Sequence, residues 1–506
     1  MSSSTRYTVE ITFNSAQNLP VGDIRTVSCD PYLKATITSP PPPNTSDAPL
    51  TWRTPTIHHT RDPTWNNKWI VSGVPASGFS LSIRVMDEDR SDRDDRLGKA
   101  YAHFAPLGAG FHEEEKAYKI QKRKGSFRPW IQTYLVAILP GQKVRKHNRV
   151  VVSVRVLGKA KDQNVKRIYT VGPSAFSWAC QKSHSTSTFV ATKFQLTGPV
   201  PDELRHEYVA FKPIIRLIFD NVGISGHILN LGLRKQYRTV YSYSKSTTYG
   251  VVAPEGDDGP SAMQHMDNGE PSTRALAERF LELVKYGEGG RLFTYVITLD
   301  GEWRFTETGD EFAINMLSKH SMHADAARII AFSGEFMVRR IPQERSEDVV
   351  NQKDKDPSLY ELIIDNDSGT YRPHAELLPL FQSWLSAPER LGGLGRVTGM
   401  QAFDETLKKL KEELKEEKKR AAGGELPAKR GLATKGGGKA RSISSGELGD
   451  NESISSEEVE RVVKKEHDEN IGNEGHGDGN DDRNRHRRAP KLDHANGGST
   501  DSGVHI

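Results

Sequence analysis

The stretch MDEDRSDRDD, residues 86–95, places six carboxylates in the nine positions from Asp87 to Asp95. It directly follows FSLSIRV, residues 79–85, in which apolar and polar side chains alternate as they do in a half-buried β-strand. Two like charges about 4 Å apart repel each other by roughly 4 kcal/mol at an effective dielectric constant of about 20. A folded chain keeps such a cluster either as an open, solvated loop or because a cation lies among the carboxylates.

Residues 6–157 are predicted to form an all-β domain around this stretch. The alternation of apolar and polar residues recurs at residues 7–13 and in VVVSVRVL, residues 150–157. Turn-rich pieces such as HHTRDPTWNNKW, residues 58–69, separate these runs. Several short strands with turn signals between them predict an antiparallel sandwich.

Calcium is the cation that suits this acidic cluster. Ca2+ takes about six to eight oxygen ligands, among which Asp carboxylates are prominent, and it tolerates irregular geometry. Such a site needs acids from more than one segment. NLPVGDIRTVSCDPYLKA, residues 18–35, provides a second acidic loop directly after a strand, with Asp23 and Asp30.

These two segments, together with RDPTWNNKW at residues 61–69, resemble a C2 domain, the calcium-dependent membrane module of conventional protein kinases C and synaptotagmins. The resemblance implies an eight-stranded antiparallel sandwich over residues 6–157. Because the chain starts six residues before its first strand, we expect residues 150–157 to close the sheet, as in the circularly permuted C2 domains of phospholipase C. The calcium ligands that the resemblance implies are Asp23, Asp30, Asp87, Asp89 and Asp95. The first loop is about one residue longer than in the protein kinases C, so Asp23 departs most from the family pattern.

The resemblance also implies binding to an anionic phospholipid membrane surface. Without metal the five Asp side chains repel such a surface, and two calcium ions would nearly cancel their charge. Each basic residue near an anionic leaflet then contributes roughly 1 kcal/mol of attraction. The predicted membrane contacts are Ile24, Arg25, Val27, Arg90, Arg93 and Arg96. Ile24 and Val27 either enter the headgroup region or pack within their own loop, and the third loop has no apolar residue, so shallow, salt-sensitive binding is expected.

Some C2 domains also bind phosphoinositides through a lysine-rich patch on the concave face of the sheet. Lys34 and Arg53 match two positions of that patch in this sequence. Thr36 and Pro55 occupy two other positions, so the sequence supports this second site only in part.

Residues 158–400 are predicted to form a mixed α+β domain with a mobile loop at 254–273. A helix is expected to begin near Ser272 or Thr273, because the apolar residues that follow share one helical face. LFTYVITLDGEWRF, residues 292–305, predicts a hairpin with its turn at Asp300-Gly301.

The C-terminal part of the chain is polar. Residues 403–421 predict a charged helix, which is either solvated or part of a short coiled coil. Its apolar stripe is expected to contain Phe403, Leu407, Leu410 and Leu414. Residues 422–506 contain no Phe, Trp or Tyr and are predicted to be a disordered tail.

Residues 158–400 contain no motif that identifies an enzyme. GISGH, residues 223–227, lacks the second glycine of a nucleophile elbow. Asp365 and Asp367 form an Asp-x-Asp pair that we interpret as a turn, because Gly369 stands where an aspartyl phosphatase has Thr or Val. His320 and His323 have no further zinc ligands at a suitable spacing.

Three functions therefore remain open. The first is a calcium-dependent peripheral membrane adaptor or tether whose second domain binds a protein partner. The second is a membrane-recruited enzyme with an unrecognised active site in residues 158–400, and the third is a calcium-independent protein-interaction module. A net charge of +4 over 506 residues does not predict nucleic acid as a partner. Only two cysteines and no signal-peptide pattern occur, so we expect a cytoplasmic protein that associates reversibly with membranes.

Overall fold

The structure is a computed structural model of the chain. It describes residues 5–23, 26–39, 49–89, 94–121, 131, 133–135, 147–182, 188–207, 247–252, 273–285, 291–308, 329–341, 356–369 and 371–421. All of these residues belong to one compact unit, residues 1–439. Several predicted features lie outside the described residues. They are the loop at 254–273 except its last residue, the motif at 223–227, the histidines at 320 and 323, and the tail at 422–506.

The described residues up to 159 form eight β-strands in two antiparallel sheets. The strands are β1 (Arg6–Gln17), β2 (Pro31–Thr38), β3 (Thr51–Arg53), β4 (Thr64–Pro75), β5 (Phe79–Asp87), β6 (Asp95–Phe104), β7 (His112–Lys119) and β8 (Arg149–Lys159). One sheet has the order β7-β8-β1-β4 and the other has the order β3-β2-β5-β6. Alternate side chains of β5 are buried in the core between the sheets, where Trp52 and Trp69 stack with their rings 5.7 Å apart. The predicted antiparallel sandwich is confirmed.

The register of the strands brings four connections to one end of the sandwich. Strand β8 pairs with β1 along its length, and Arg149 lies opposite Gln17, so the prediction that residues 150–157 close the sheet is confirmed. In the other sheet Asp87 lies opposite both Pro31 and Asp95. The four connections at this end of the sandwich are residues 18–30, 54–63, 88–94 and 120–148.

The sandwich continues into the following segment. Strand β9 (Tyr169–Gly172) pairs antiparallel with β4 and becomes the fifth strand of the first sheet. The segment predicted as a second domain thus begins by extending the first one.

A larger sheet follows. Its eight described strands are β10 (Ala175–Lys182), β11 (Thr188–Gln195), β13 (Thr248–Val251), β14 (Leu292–Ile297), β15 (Glu302–Glu307), β17 (Phe332–Arg340), β18 (Tyr360–Ile364) and β19 (Arg396–Gly399). They have the order β13-β10-β11-β15-β14-β17-β18-β19, and only the β18–β19 pair is parallel. Two short strands, β12 (His206–Glu207) and β16 (Ile329–Ile330), pair separately. Together with helices α1 (Thr273–Leu283) and α2 (Leu378–Leu385), they confirm the predicted mixed α+β region. Helix α3 (Glu405–Ala421) follows this region.

Two local predictions in this region are confirmed. Helix α1 begins at Thr273, and its buried Phe280 stacks on Trp303 with the ring centroids 5.1 Å apart. Strands β14 and β15 form the predicted hairpin. Gly301 adopts a φ of 78° in its turn, a conformation that glycine reaches without steric cost.

Helix α3 packs on the face of the sheet opposite to α1. Its Leu407 is buried against Met337 and Ile363. The residues that precede these two in their strands, Phe336 and Leu362, belong to the core that contains α1, and successive side chains of a strand point to opposite faces of the sheet. The expectation of a solvated helix or a coiled coil is therefore corrected, because one side of α3 is covered by the sheet. Phe403 precedes the helix and is 60% exposed, so it does not belong to the buried stripe.

A buried ion cluster fixes α3 to the sheet. The Lys411 ammonium group lies 2.7 Å from a carboxylate oxygen of Glu335 and 2.7 Å from one of Asp365. Burial lowers the pKa of Lys411, but the two carboxylates outweigh burial and raise this pKa above its ordinary value. Asp365 also accepts the backbone N–H of Asp367, which agrees with the interpretation of this Asp-x-Asp pair as a turn.

The first prediction concerns this cluster. Lys411→Met keeps the length of the side chain but leaves two carboxylates without their cation, so we expect the free energy of unfolding to fall by about 3 kcal/mol. Urea unfolding would measure this change. Lys409→Met on the exposed side of the same helix is the control, and equal effects of the two substitutions would contradict a stabilising role of the cluster.

Candidate functional site

The acidic side chains predicted as ligands lie at the shared end of the sandwich, here called the acidic tip and defined by Asp23, Asp30, Asp87, Asp89 and Asp95. Asp30 comes directly before β2 and Asp87 ends β5, and these strands are neighbours. The backbone N–H of Asp30 donates to Oδ1 of Asp87 at 2.6 Å. In the first loop the backbone N–H of Asp23 donates to the carbonyl oxygen of Ser28 at 2.9 Å, so the loop folds back on itself.

Asp87 is the centre of the acidic tip. Its side chain is almost fully buried, and its Oδ2 atom has no hydrogen-bond partner. Gly22 lies so close that a Cβ there would come within 1.4 Å of this oxygen, which explains why the position has no side chain. Burial, followed by the charges of Asp89, Asp23 and Asp30, raises the pKa of Asp87 to about 8, although the hydrogen bond from the Asp30 amide acts in the opposite direction.

Asp95 lies on the same side of the sheet as Asp87. The two residues are directly opposite each other in the β5–β6 pair. Residues in such positions of an antiparallel pair point to one face, with Cβ atoms about 4.5–5.5 Å apart. Three predicted ligands therefore lie close enough to Asp87 to raise its pKa, namely Asp23, Asp30 and Asp89. The fourth, Asp95, lies opposite Asp87 on the neighbouring strand.

Two histidines that the sequence reasoning missed contact Asp30. Oδ1 of Asp30 accepts the backbone N–H of His59 at 2.8 Å, and Oδ2 lies 3.1 Å from Nδ1 of His58. Both histidines belong to the connection between β3 and β4, directly before the RDPTWN landmark. Their position beside this landmark is the sequence signal by which they could have been found.

Asp94 was also missed. Its Oδ2 accepts the hydroxyl of Tyr32 at 2.7 Å, and its Oδ1 accepts the backbone N–H of Asp89 at 3.3 Å. Burial raises the pKa of Asp94, although these hydrogen bonds favour the ionised form. The third loop therefore holds Asp89 in place through a carboxylate adjacent to the predicted ligand.

The residues present fit a cation in part. The orphaned Oδ2 of Asp87, surrounded by further carboxylates, is a suitable calcium donor. Within the part of the chain that the structure describes, no three His, Cys, Asp or Glu side chains are already close enough together to hold a metal ion. Binding would thus require the carboxylates to move together, and Asp30 would have to share its oxygens with two histidines.

The predicted membrane contacts are only partly visible. Ile24, Arg25, Arg90 and Arg93 lie outside the described residues. Val27 is half-buried with a φ of 54°, and Arg96 is exposed near the start of β6. These six contacts remain predictions.

Arg53 connects the acidic tip to the larger sheet. Its guanidinium carbon lies 3.8 Å from the ring centre of Tyr32 and 3.5 Å from that of Tyr249, which belongs to β13. A carboxylate oxygen of Glu88, between Asp87 and Asp89 in the chain, lies 3.3 Å from the same guanidinium group. Arg53 is thus enclosed by the protein itself, which weakens the partial indication of a phosphoinositide patch at this position.

An antiparallel sandwich with acidic loops gathered at one end defines the class of this part of the chain as a β-sandwich module with an acidic tip. Residues 7–120 match the family model of the C2 domain, so this stretch is a C2 domain, as its motifs indicated. The identification rests on this match together with the strand order, and it covers the N-terminal part of the chain only.

Several solved structures are similar to the chain. A single C2 domain of plant extended synaptotagmin 1 shares 14% identity at a TM-score of 0.23, over 30% of this chain and 95% of that one. Human GIVD cytosolic phospholipase A2 shares 14% identity at a TM-score of 0.23, over 38% of this chain and 26% of that one. The tandem C2 domains of extended synaptotagmin 2 share 12% identity at a TM-score of 0.21, over 38% of this chain and 74% of that one. No curated protein matches the chain.

The second prediction concerns the charge of Asp87 in calcium-free protein. Because folding raises its pKa from 3.8 to about 8, unfolding releases a proton and the free energy of unfolding falls as the pH rises from about 4 to 8. Asp87→Asn removes this slope and should raise the free energy of unfolding at pH 8 by about 1 to 3 kcal/mol. Urea unfolding with chelator present at several pH values would measure both effects.

The exposed Asp162 provides the control for this experiment. Asp162→Asn should leave the pH slope of the wild-type protein unchanged. A slope that survives in the Asp87→Asn variant would show that Asp87 is not the group responsible.

The third prediction concerns the stacked arginine. Tyr249→Ala removes one of the two rings around Arg53, so we expect the free energy of unfolding to fall by about 2 kcal/mol through the lost cation–π contact and packing. Tyr249→Phe retains an aromatic face and should cost much less. Equal losses in the two variants, measured by urea unfolding, would assign the effect to the hydroxyl group instead.

Proposed function

We propose that the chain is a calcium-dependent peripheral membrane protein that binds anionic phospholipid through the acidic tip of its C2 domain. The observation that carries this proposal is the buried Asp87 carboxylate, which has one oxygen without a partner and other carboxylates around it. Such an arrangement is unfavourable without a cation, because burial and like charges both oppose ionisation. A divalent cation supplies the missing partner.

The proposed ligands are Asp23, Asp30, Asp87, Asp89 and Asp95. Calcium bound there neutralises the negative charge of the tip and leaves open coordination positions for lipid phosphate or carboxylate oxygens. Ile24, Arg25, Val27, Arg90, Arg93 and Arg96 are the residues that we propose to meet the membrane surface. The exposed position of Arg96 near the start of β6 supports this role.

The second region is proposed to bind a protein partner, which makes the chain an adaptor or tether in the cytoplasm. No helix among the described residues is long and apolar enough to cross a membrane. The Asp-x-Asp pair gives no support to an enzyme, because Asp365 contacts Lys411 and two backbone amides in the interior.

One observation favours a second candidate function. The contacts of Asp30 with His58 and His59 satisfy both of its carboxylate oxygens without metal. The alternative is therefore a calcium-independent protein-interaction module whose tip is held together by these histidines.

The fourth prediction decides between these functions. The full chain should sediment with phosphatidylserine liposomes in calcium and lose at least about tenfold in affinity in chelator, because the uncompensated tip repels the anionic surface. Asp87→Asn combined with Asp89→Asn should remove the calcium dependence. Higher salt should weaken the calcium-dependent binding, because exposed charges are screened.

The matched control is Asp162→Asn combined with Asp202→Asn, which neutralises two exposed aspartates elsewhere. This variant should sediment like the wild-type protein. Absence of liposome binding in both calcium and chelator would overturn the proposal and favour the protein-interaction module.

A further inference from the structure

The fourth connection at the tip, between β7 and β8, places a helical turn beside the acidic loops. Residues 131 and 133–135 are helical. The hydroxyl oxygen of Thr133, which is buried, accepts the backbone N–H of Val21 at 2.7 Å. Val21 precedes Gly22, the residue in contact with Asp87. The turn is therefore attached to the first acidic loop by a buried hydrogen bond.

This turn exposes an apolar face. Ile131 is 40% exposed, Tyr134 is 51% exposed and Leu135 is 53% exposed. Their spacing of three and four residues puts them on one side of a helix. A single exposed apolar side chain is ordinary, whereas a group of large ones on one face marks an interaction surface. These three residues are called the apolar turn below.

The charge of the surrounding sequence indicates what covers the apolar turn. Between Lys116 and Lys161 the sequence contains no Asp or Glu. Basic residues stand on both sides of the turn in the sequence, in QKRKGSFR at 121–128 and QKVRK at 142–146. Exposed apolar residues that are flanked in the sequence by basic residues suit the interface of an anionic bilayer, where an amphipathic helix buries its apolar face about 5–10 Å deep.

We propose that the apolar turn inserts into the interface of an anionic phospholipid bilayer, as a contact additional to the acidic loops. This inference rests on the proposed function for its orientation, since the turn lies at the end of the sandwich that would face the membrane. The two contacts differ in their physics. The acidic loops need calcium and respond to salt, whereas the apolar turn gains by removing apolar surface from water. It adds the depth of insertion that the third loop cannot provide.

The test removes apolar surface without changing charge. In the full chain, Ile131→Ser combined with Leu135→Ser should weaken sedimentation with phosphatidylserine liposomes in calcium by at least about tenfold. Leu157→Ser is the matched control, because Leu157 is 47% exposed and lies towards the opposite end of β8. The control should bind like the wild-type protein, and thermal unfolding should confirm that all variants are folded.

A second measurement reports insertion directly. Tyr134→Trp places a fluorophore on the apolar turn. Subtracting the fluorescence spectrum of the unsubstituted chain separates its signal from that of the native tryptophans. Brominated phospholipids in the liposomes should quench this added fluorescence. Absence of quenching together with wild-type binding of the double serine variant would overturn the inference.

The outcomes separate this inference from the proposed function. Liposome binding that persists in chelator and disappears in the double serine variant would support the apolar turn while the calcium proposal fails. Binding that depends on calcium and is unchanged in the double serine variant would overturn the apolar turn while the calcium proposal stands. A double serine variant that binds normally but changes from dimer to monomer in light scattering would show that a second copy of the chain covers the turn, and it would also overturn the inference.

Discussion

The unsatisfied carboxylate of Asp87 is the constraint on which the functional end of the molecule depends. Its Oδ1 holds the amide of Asp30, which fixes the first loop against the end of β5. Its Oδ2 faces the backbone of Gly22 without a hydrogen bond. Since burial and the surrounding carboxylates both oppose ionisation, the Asp87 carboxyl group becomes a source of instability once it ionises without a partner for Oδ2.

The strand order determines what surrounds this carboxylate. Because β8 lies beside β1 and runs antiparallel to it, the long connection before β8 returns to the acidic tip. The same end of the sandwich therefore carries both the clustered carboxylates and the apolar turn. Electrostatic attraction acts over about a Debye length and orients the approach to a charged surface, whereas apolar burial acts only on contact. The two features complement each other for this physical reason.

Features that depend on local spacing were predictable from the sequence. The alternation in β5 and the fixed intervals between acids specified the sandwich and the position of Asp87 at a strand end. The Asp300-Gly301 turn is equally local. The stack of Arg53 on Tyr249 joins residues far apart in the chain, and the packing of α3 depends on a sheet that forms elsewhere. Such contacts follow from the tertiary arrangement, so periodicity and composition carry no signal for them.

The position of Arg53 has a consequence for ligand choice. In this chain its guanidinium group is stacked between Tyr32 and Tyr249 and paired with Glu88, so it stabilises contact with the larger sheet. Releasing it to bind a lipid phosphate would break all three contacts, two of which lie within the sandwich and one of which joins the second region. The contacts of Arg53 therefore argue against a lipid site at its position on the concave face. Through its pairing with Arg53, Glu88 also makes the third loop of the tip part of the contact with the second region.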